Sequence, residues 1–315
     1  MKVNLGYVAI SLNLPEGSPN KTVTYSNLKK LDIKTQKEKL YNIAKYNLNC
    51  QKRILEYNVA NDIKVFRITS KLIPLATHDS TKDWDYIDDF KTELFYLGQY
   101  IKENELLISA HPDHFTLLNS PKEYVLKNSI RDLEYHDKLF SAMNLTAAKL
   151  VIHVGGVYDN KYEAVKRFID NFKILPETLK RRIIIENDDK SYTAHDVLKI
   201  CQELAVPMVF DLHHHFCNNN AYNIEDLWLD ISKTWGHDVP KIHISSPKDN
   251  KNIRAHADFI NCDDFLEFLN IAKRYNKELN VMVEAKQKDR ALIALVDKLK
   301  SNKDIVFCDK ASFII

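Results

Sequence analysis

The chain has only six glycines and five cysteines in 315 residues, and it holds no long apolar run, no low-complexity tract and no repeat of fixed spacing. Each shortage excludes something. The cysteines (Cys50, Cys201, Cys217, Cys262 and Cys308) are odd in number and form no CxxC, so neither a disulfide framework nor a zinc knuckle is indicated. No stretch approaches the roughly 20 apolar residues that cross a bilayer, and the chain opens into a strand-like run without an apolar leader. A cytoplasmic protein without membrane contact is expected. Charge of neither sign dominates, since the net charge is +2, so nucleic-acid binding would need a local basic patch. Few glycines, 45% hydrophobic and 28% charged residues predict globular structure throughout.

What the sequence does contain is an alternation. Short apolar runs at 3–10, 63–69, 106–111, 149–155, 182–187, 207–212, 241–244 and 281–286 alternate with amphipathic patterns near 35–60, 86–104, 122–146, 160–173, 193–204, 224–235, 262–275 and 289–300. Eight βα units predict an α/β fold with a parallel sheet closed into a single (β/α)8 TIM barrel, occupying residues 1–315 as one domain. An open doubly wound sheet is the alternative. Long connections at 11–34, 70–85 and 245–261 all follow strands and so belong on one rim.

Chemistry concentrates at the ends of the runs. Pro207-Met-Val-Phe-Asp211-Leu-His-His214-His215 passes from apolar residues to a carboxylate and three imidazoles, polar groups that are costly to bury without partners. The other ends carry Arg67, with His78 in the loop beyond, His111 followed by His114 and Phe115, His153, Glu186, His243 and Glu284, and His256 lies in a later loop. Singly, each is more often a satisfied histidine or carboxylate than a ligand. In a closed barrel the inward residues converge at the C-terminal rim, where so many ionisable groups call for cations. The candidate ligands His111, His153, Glu186, Asp211, His214, His243, His256 and Glu284 exceed the four to six places of one transition-metal ion. Glu186 or Asp211 would then bridge neighbouring ions, an arrangement suited to in-line displacement at phosphorus. Phosphodiester hydrolysis is the leading reaction class.

In order along the chain stand Gly6-Tyr7, Arg67-Ile-Thr-Ser, His111-Pro, His153-Val-Gly-Gly, Glu186-Asn-Asp, Phe210-Asp211-Leu-His-His214, Lys241-Ile-His243-Ile-Ser, His256-Ala-Asp and Glu284-Ala-Lys286. As a set, from residue 3 to about 290, they resemble the UV damage endonuclease family, a TIM-barrel relative of the endonuclease IV apurinic-site nucleases. The resemblance implies up to three divalent ions, typically Mn2+, with Zn2+, Mg2+ or Co2+ as alternatives. His111 and His153 would bind one ion and share Glu186 with a second, which Asp211, His243 and Glu284 complete; His214 and His256 would hold the third. Relatives place an Asp two residues before the last of these histidines, where this chain has Arg254. Lys241, carboxylated to a carbamate, would supply the missing carboxylate; the plainer reading is an ordinary ammonium. Catalysis would rest on Glu186, Asp211, Glu284 and Lys241.

The implied partner is damaged double-stranded DNA, with no nucleotide cofactor and a monomeric enzyme. The implied reaction is a nick 5′ to cyclobutane pyrimidine dimers, 6-4 photoproducts and other distorting or abasic lesions. The expected DNA-contacting residues are Tyr7 at the pocket floor, Ser11, Arg67, His78, His114, Phe115, Arg254 and Lys286. His114 and Phe115 replace the Gln and Tyr that probe the duplex in the family, which alters lesion preference more than catalysis. Three competing readings are an apurinic/apyrimidinic endonuclease on the same metals, a metal-dependent sugar isomerase and a non-catalytic damage sensor.

Overall fold

The apolar runs pair side by side as eight parallel strands in the computed structural model, which describes residues 1–315. They are β1 (Lys2–Val8), β2 (Val65–Ile68), β3 (Leu107–Ala110), β4 (Lys149–His153), β5 (Ile183–Glu186), β6 (Met208–Asp211), β7 (Lys241–Ile244) and β8 (Glu278–Val283). Pairing of β1 with both β8 and β2 closes the ring, giving the expected (β/α)8 TIM barrel. Helices cover its outside. Several start behind side-chain caps: Asn160 before Lys161–Lys173, Thr193 in a capping box with Asp196 before Ala194–Leu204, Asn223 before Ile224–Lys233 and Asn261 before Cys262–Ala272. Each such cap contributes about 1 kcal/mol. No helix is long and apolar enough to cross a membrane.

Side-chain alternation divides every strand between two environments. Outward residues such as Leu5, Tyr7, Phe66, Ile185, Phe210, Ile242 and Val283 join one large core beneath the helices. Inward residues form two small clusters, Val151, Ile184 and Val209 with Trp235, and Val8, Val65 and Met282. On that same inner phase, one residue pair further along, stand Arg67, His153, Glu186, Asp211 and His243, with Glu284 just beyond β8. The inner apolar clusters are thus the floor on which the polar residues rest.

Several elements differ from expectation. A C-terminal hairpin, β9 (Val306–Phe307) and β10 (Ser312–Ile314), pairs antiparallel with β1 at Lys2–Asn4, below the point where β2 begins. It covers an edge that would otherwise be unpaired. The helix expected at 86–104 is divided at Phe90 into Tyr86–Asp89 and Lys91–Glu103. β6 stops at Asp211, whose carboxylate caps a short helix, Leu212–Cys217. The long 11–34 connection is pinned by two fully buried polar side chains. Asn47 donates to the carbonyls of Lys21 (2.9 Å) and Leu72 (3.1 Å), and Asp289 accepts from Ser11 Oγ (2.5 Å) and Leu12 N (2.8 Å).

Candidate metal centre

Glu186, at the end of β5, lies where the imidazoles converge. Its Oε1 is 2.9 Å from His243 Nδ1 and 3.6 Å from His214 Nδ1, and its Oε2 is 3.3 Å from His111 Nε2 and 3.7 Å from His153 Nε2. The carboxylate is 1% exposed. Burial pushes its pKa up, but His243, His153 and His111 outweigh that and hold it well below the usual range. Glu284 behaves similarly, held down at about 2 because Arg67 and His243 outweigh its burial. Arg67 Nη1 donates to Glu284 Oε1 at 2.5 Å.

Asp211 is different. Burial, joined by the Glu186 and Glu284 charges, raises it to about 6 despite His214. The imidazoles also separate: burial lowers His153 to about 4, whereas His214 rises to about 9 because Asp211 and Glu186 outweigh its burial. Three carboxylates and two imidazoles, with members of each kind displaced in opposite directions within one water-poor site, are the mark of a strongly interacting charge cluster.

The donor chemistry fits divalent cations. Glu186 Oε2, Asp211 Oδ2 and His243 Nε2 are buried atoms without a hydrogen-bond partner, which is costly unless something else binds them. Three groups bring their ligand atoms within 4.8 Å of one another: His111, His153 and Glu186; Glu186, Asp211 and His214; Glu186, His243 and Glu284. Glu186 belongs to all three. Backbone carbonyls fix the outer nitrogens, since Nδ1 of His111 donates to Pro112 O (2.9 Å), that of His214 to Asn187 O (2.9 Å) and that of His256 to Glu284 O (2.7 Å). Each bond fixes the orientation of its ring, as such partners do for metal-binding imidazoles.

The grouping departs from expectation at Asp211, which lies with His214 rather than with His243 and Glu284. The cause is local. Asp211 Oδ1 accepts from the backbone N–H of His214 at 2.7 Å, and this cap folds the chain back on itself. His256 stands outside the three groups, its ring 6.2 Å from that of His214. Lys241 is buried and inward, two residues before His243 on β7, and burial with the Arg67 and Lys149 charges lowers its pKa to about 8.

Two of the expected DNA-contacting residues are misplaced. Tyr7 is not on the pocket floor: it falls on the outward phase of β1, fully buried, and its hydroxyl donates to Asn58 Oδ1 (2.7 Å) on the covering helix Ile33–Ala60. Ser11 is buried against Asp289 and cannot meet DNA. The others lie towards the open end. His114 and Phe115 are exposed beyond β3, Lys286 is exposed beyond β8, and Arg254 is half exposed with Nε 3.8 Å from Asp189 Oδ2. His78 caps a short turn through Ser80 N, and its ring lies tilted against that of Tyr25 at 4.6 Å.

A cavity of about 320 Å3 opens beside His111, His153 and Glu284, walled by Asn20, Arg67, Lys71 and His114. A second, of about 250 Å3, lies across the Pro112–His114 segment and reaches Asp188 and Lys190. The sequence reading missed the residues that brace these walls. Gly155 adopts φ +112°, a turn open to glycine, and Asn119 (2.7 Å) and Tyr192 (3.0 Å) both donate to Gly156 O, fixing the loop after His153. The Gly155-Gly156 pair, two residues after His153, was the available signal.

The model of the family described as UV-endonuclease UvdE matches residues 3–312. The UV DNA damage endonuclease of Bacillus cereus (strain B4264) is 42% identical over 308 residues, covering 97% of each chain. That of Bacillus anthracis (strain A0248) is 41% identical over the same length. Among solved structures, SacUVDE superposes with a TM-score of 0.85 at 34% identity, covering 95% of this chain and 98% of its own. Endonuclease IV from Thermus thermophilus (TM-score 0.58, 11% identity, 95% and 100% covered) shares the fold.

Proposed function

The chain belongs to the UV-endonuclease UvdE family, and from that premise we propose that it nicks duplex DNA 5′ to cyclobutane pyrimidine dimers and 6-4 photoproducts, as a monomer using up to three divalent ions. The observation that carries this reading is Glu186, buried at the intersection of three donor groups with one oxygen unpaired. Mn2+ is the proposed ion, with Zn2+, Mg2+ and Co2+ able to substitute. Bound there, such ions would neutralise phosphate charge and lower the pKa of water.

The chain's own residues do the rest. His111, His153 and Glu186 would hold one ion; Glu186, His243 and Glu284 a second; Glu186, Asp211 and His214 a third, with His256 beside His214. Lys241 would complete the set as a carbamate, its neutral amine adding to carbon dioxide with release of one proton. Its burial, which lowers its pKa to about 8, raises the share of that neutral amine above that of an ordinary lysine. Native mass measurement without acid should find the added carboxyl; a bare lysine would return Lys241 to a cationic role.

Arg67, which adjoins the 320 Å3 cavity and pairs with Glu284, would meet a phosphate, and Arg254, Lys286 and His78 would grip the backbone. Exposed Phe115 with His114 would fill the gap left by poorly stacked damaged bases, whose extrusion costs less than that of intact ones. The deciding experiment compares a duplex carrying one thymine dimer with one carrying one abasic site, both with manganese. Incision 5′ to the dimer is expected. Incision of the abasic strand alone would replace this reading with that of an apurinic-site endonuclease.

A further inference from the structure

The donor groups require Glu186, Asp211 and His214 to keep one spacing, although they come from two strand ends. The β5–β6 ladder cannot enforce it. Its parallel pairing ends at Glu186↔Val209, so Asp211 lies beyond the last paired residue of β5. Asn187 takes the ladder's place. Its Oδ1 accepts from Asp211 N (2.9 Å) and its Nδ2 donates to Asp211 O (3.0 Å), so the side-chain amide imitates a neighbouring peptide. The backbone carbonyl of the same residue accepts from His214 Nδ1 (2.9 Å). Asn187 is fully buried, with no water to substitute for these bonds.

The far end of the following helix is fastened to the same segment. Asn218, directly after Leu212–Cys217, donates from Nδ2 to Asp188 O at 3.1 Å. The helix that carries His214 is therefore clipped to 186–188 at its start by Asn187 and at its end by Asn218. Nothing comparable links His111 to Glu186, which approach from β3 and β5 without a shared polar residue between their backbones. We propose that Asn187 is a positioning residue that holds Asp211 and His214 at metal-binding distance from Glu186, setting the ion capacity of that half of the site while leaving the His111/His153 half independent. This rests on the metal reading given above.

The test is manganese binding to the full-length chain by equilibrium dialysis, with electron paramagnetic resonance reporting spin coupling between adjacent ions. Asn187→Ala should lose one bound ion, or bind it about 10- to 100-fold more weakly, the usual cost of removing an orienting partner. The ions held by the His111/His153/Glu186 and Glu186/His243/Glu284 groups should bind with unchanged affinity, and the coupling that involves the lost ion should disappear. Asn187→Asp, which keeps the acceptor and loses the donor, should fall between Ala and the wild type. Ile185→Ala, on the outer face of the same strand, controls for lost stability. Unchanged stoichiometry and coupling in Asn187→Ala, or an equal loss in Ile185→Ala, overturns the proposal. Wild-type protein that binds no manganese overturns the metal reading and this proposal together.

Discussion

The two faces of the barrel strands are built from neighbouring residues yet obey different rules. On β5, Ile183 and Ile185 point outward into the helical core, while Ile184 and Glu186 point inward. The outer face is held by area: any well-packed apolar side chain of the right volume serves, and the contribution is proportional to what is buried. The inner face is held by complementary charge, and each member there alters the charge state of the others. One face therefore supplies stability and the other supplies chemistry, so substitutions on the two should separate folding from function.

The largest separation is expected at Glu186. Glu186→Gln keeps shape but removes the charge shared by all three donor groups. Steady-state nicking should fall by about 10³-fold, matching the several kcal/mol contributed by a bound cation. Damaged-duplex binding, followed by fluorescence anisotropy, should change little. The converse is Phe66→Ala, beside inward Arg67 but on the outer face. Denaturant unfolding should show a loss of about 3–5 kcal/mol. Manganese stoichiometry measured below the melting transition should be unaltered, and a parallel loss of manganese would break the division between faces.

Smaller effects follow from titration of the metal-free protein. His214, raised to about 9, contributes stability that is complete below its ordinary value near 6.5 and is lost as pH rises through 9. His153 and His213, lowered to about 4 by burial, contribute stability present above 6.5 and lost as pH falls through 4. Thermal denaturation without metal should therefore lose the His214 contribution above pH 6.5 and the His153 and His213 contributions below it. Manganese should flatten the alkaline side, because it displaces the His214 proton. A stability profile unmoved by Glu186→Gln would sink this assignment.

The smallest effect belongs to Tyr7. Tyr7→Phe leaves Asn58 Oδ1 without its buried donor, costing about 1–3 kcal/mol, and should leave nicking per folded molecule unchanged. A specific drop in turnover would return Tyr7 to the pocket.

The same contrast explains what was legible in the sequence. Carboxylates and imidazoles closing apolar runs are conspicuous because the outer face never tolerates them, so the strand ends and the barrel could be read directly. Tyr7 misled because β1 is buried on both faces and its inward neighbour, Gly6, has no side chain to reveal the phase. Ser11 lies past Ala9, whose φ of 62° turns the chain out of the strand, and alternation no longer applies there. β9 and β10, two and three residues long, are too short for any period to register. Asp211 and His214, three apart, could serve one site or two adjacent ones on spacing alone, and Asp211 could be a ligand or a cap; the cap it makes on His214 N brings the two into one group.

The most direct test of the central claim is one nicking assay on a duplex with a single thymine dimer, run with manganese, after chelation and after manganese is restored, for wild type and Glu186→Gln. The account predicts incision 5′ to the dimer by the wild type only, abolished by chelator and recovered with manganese, while both proteins bind the duplex. Incision that survives chelation, or Glu186→Gln nicking at the wild-type rate, would contradict it.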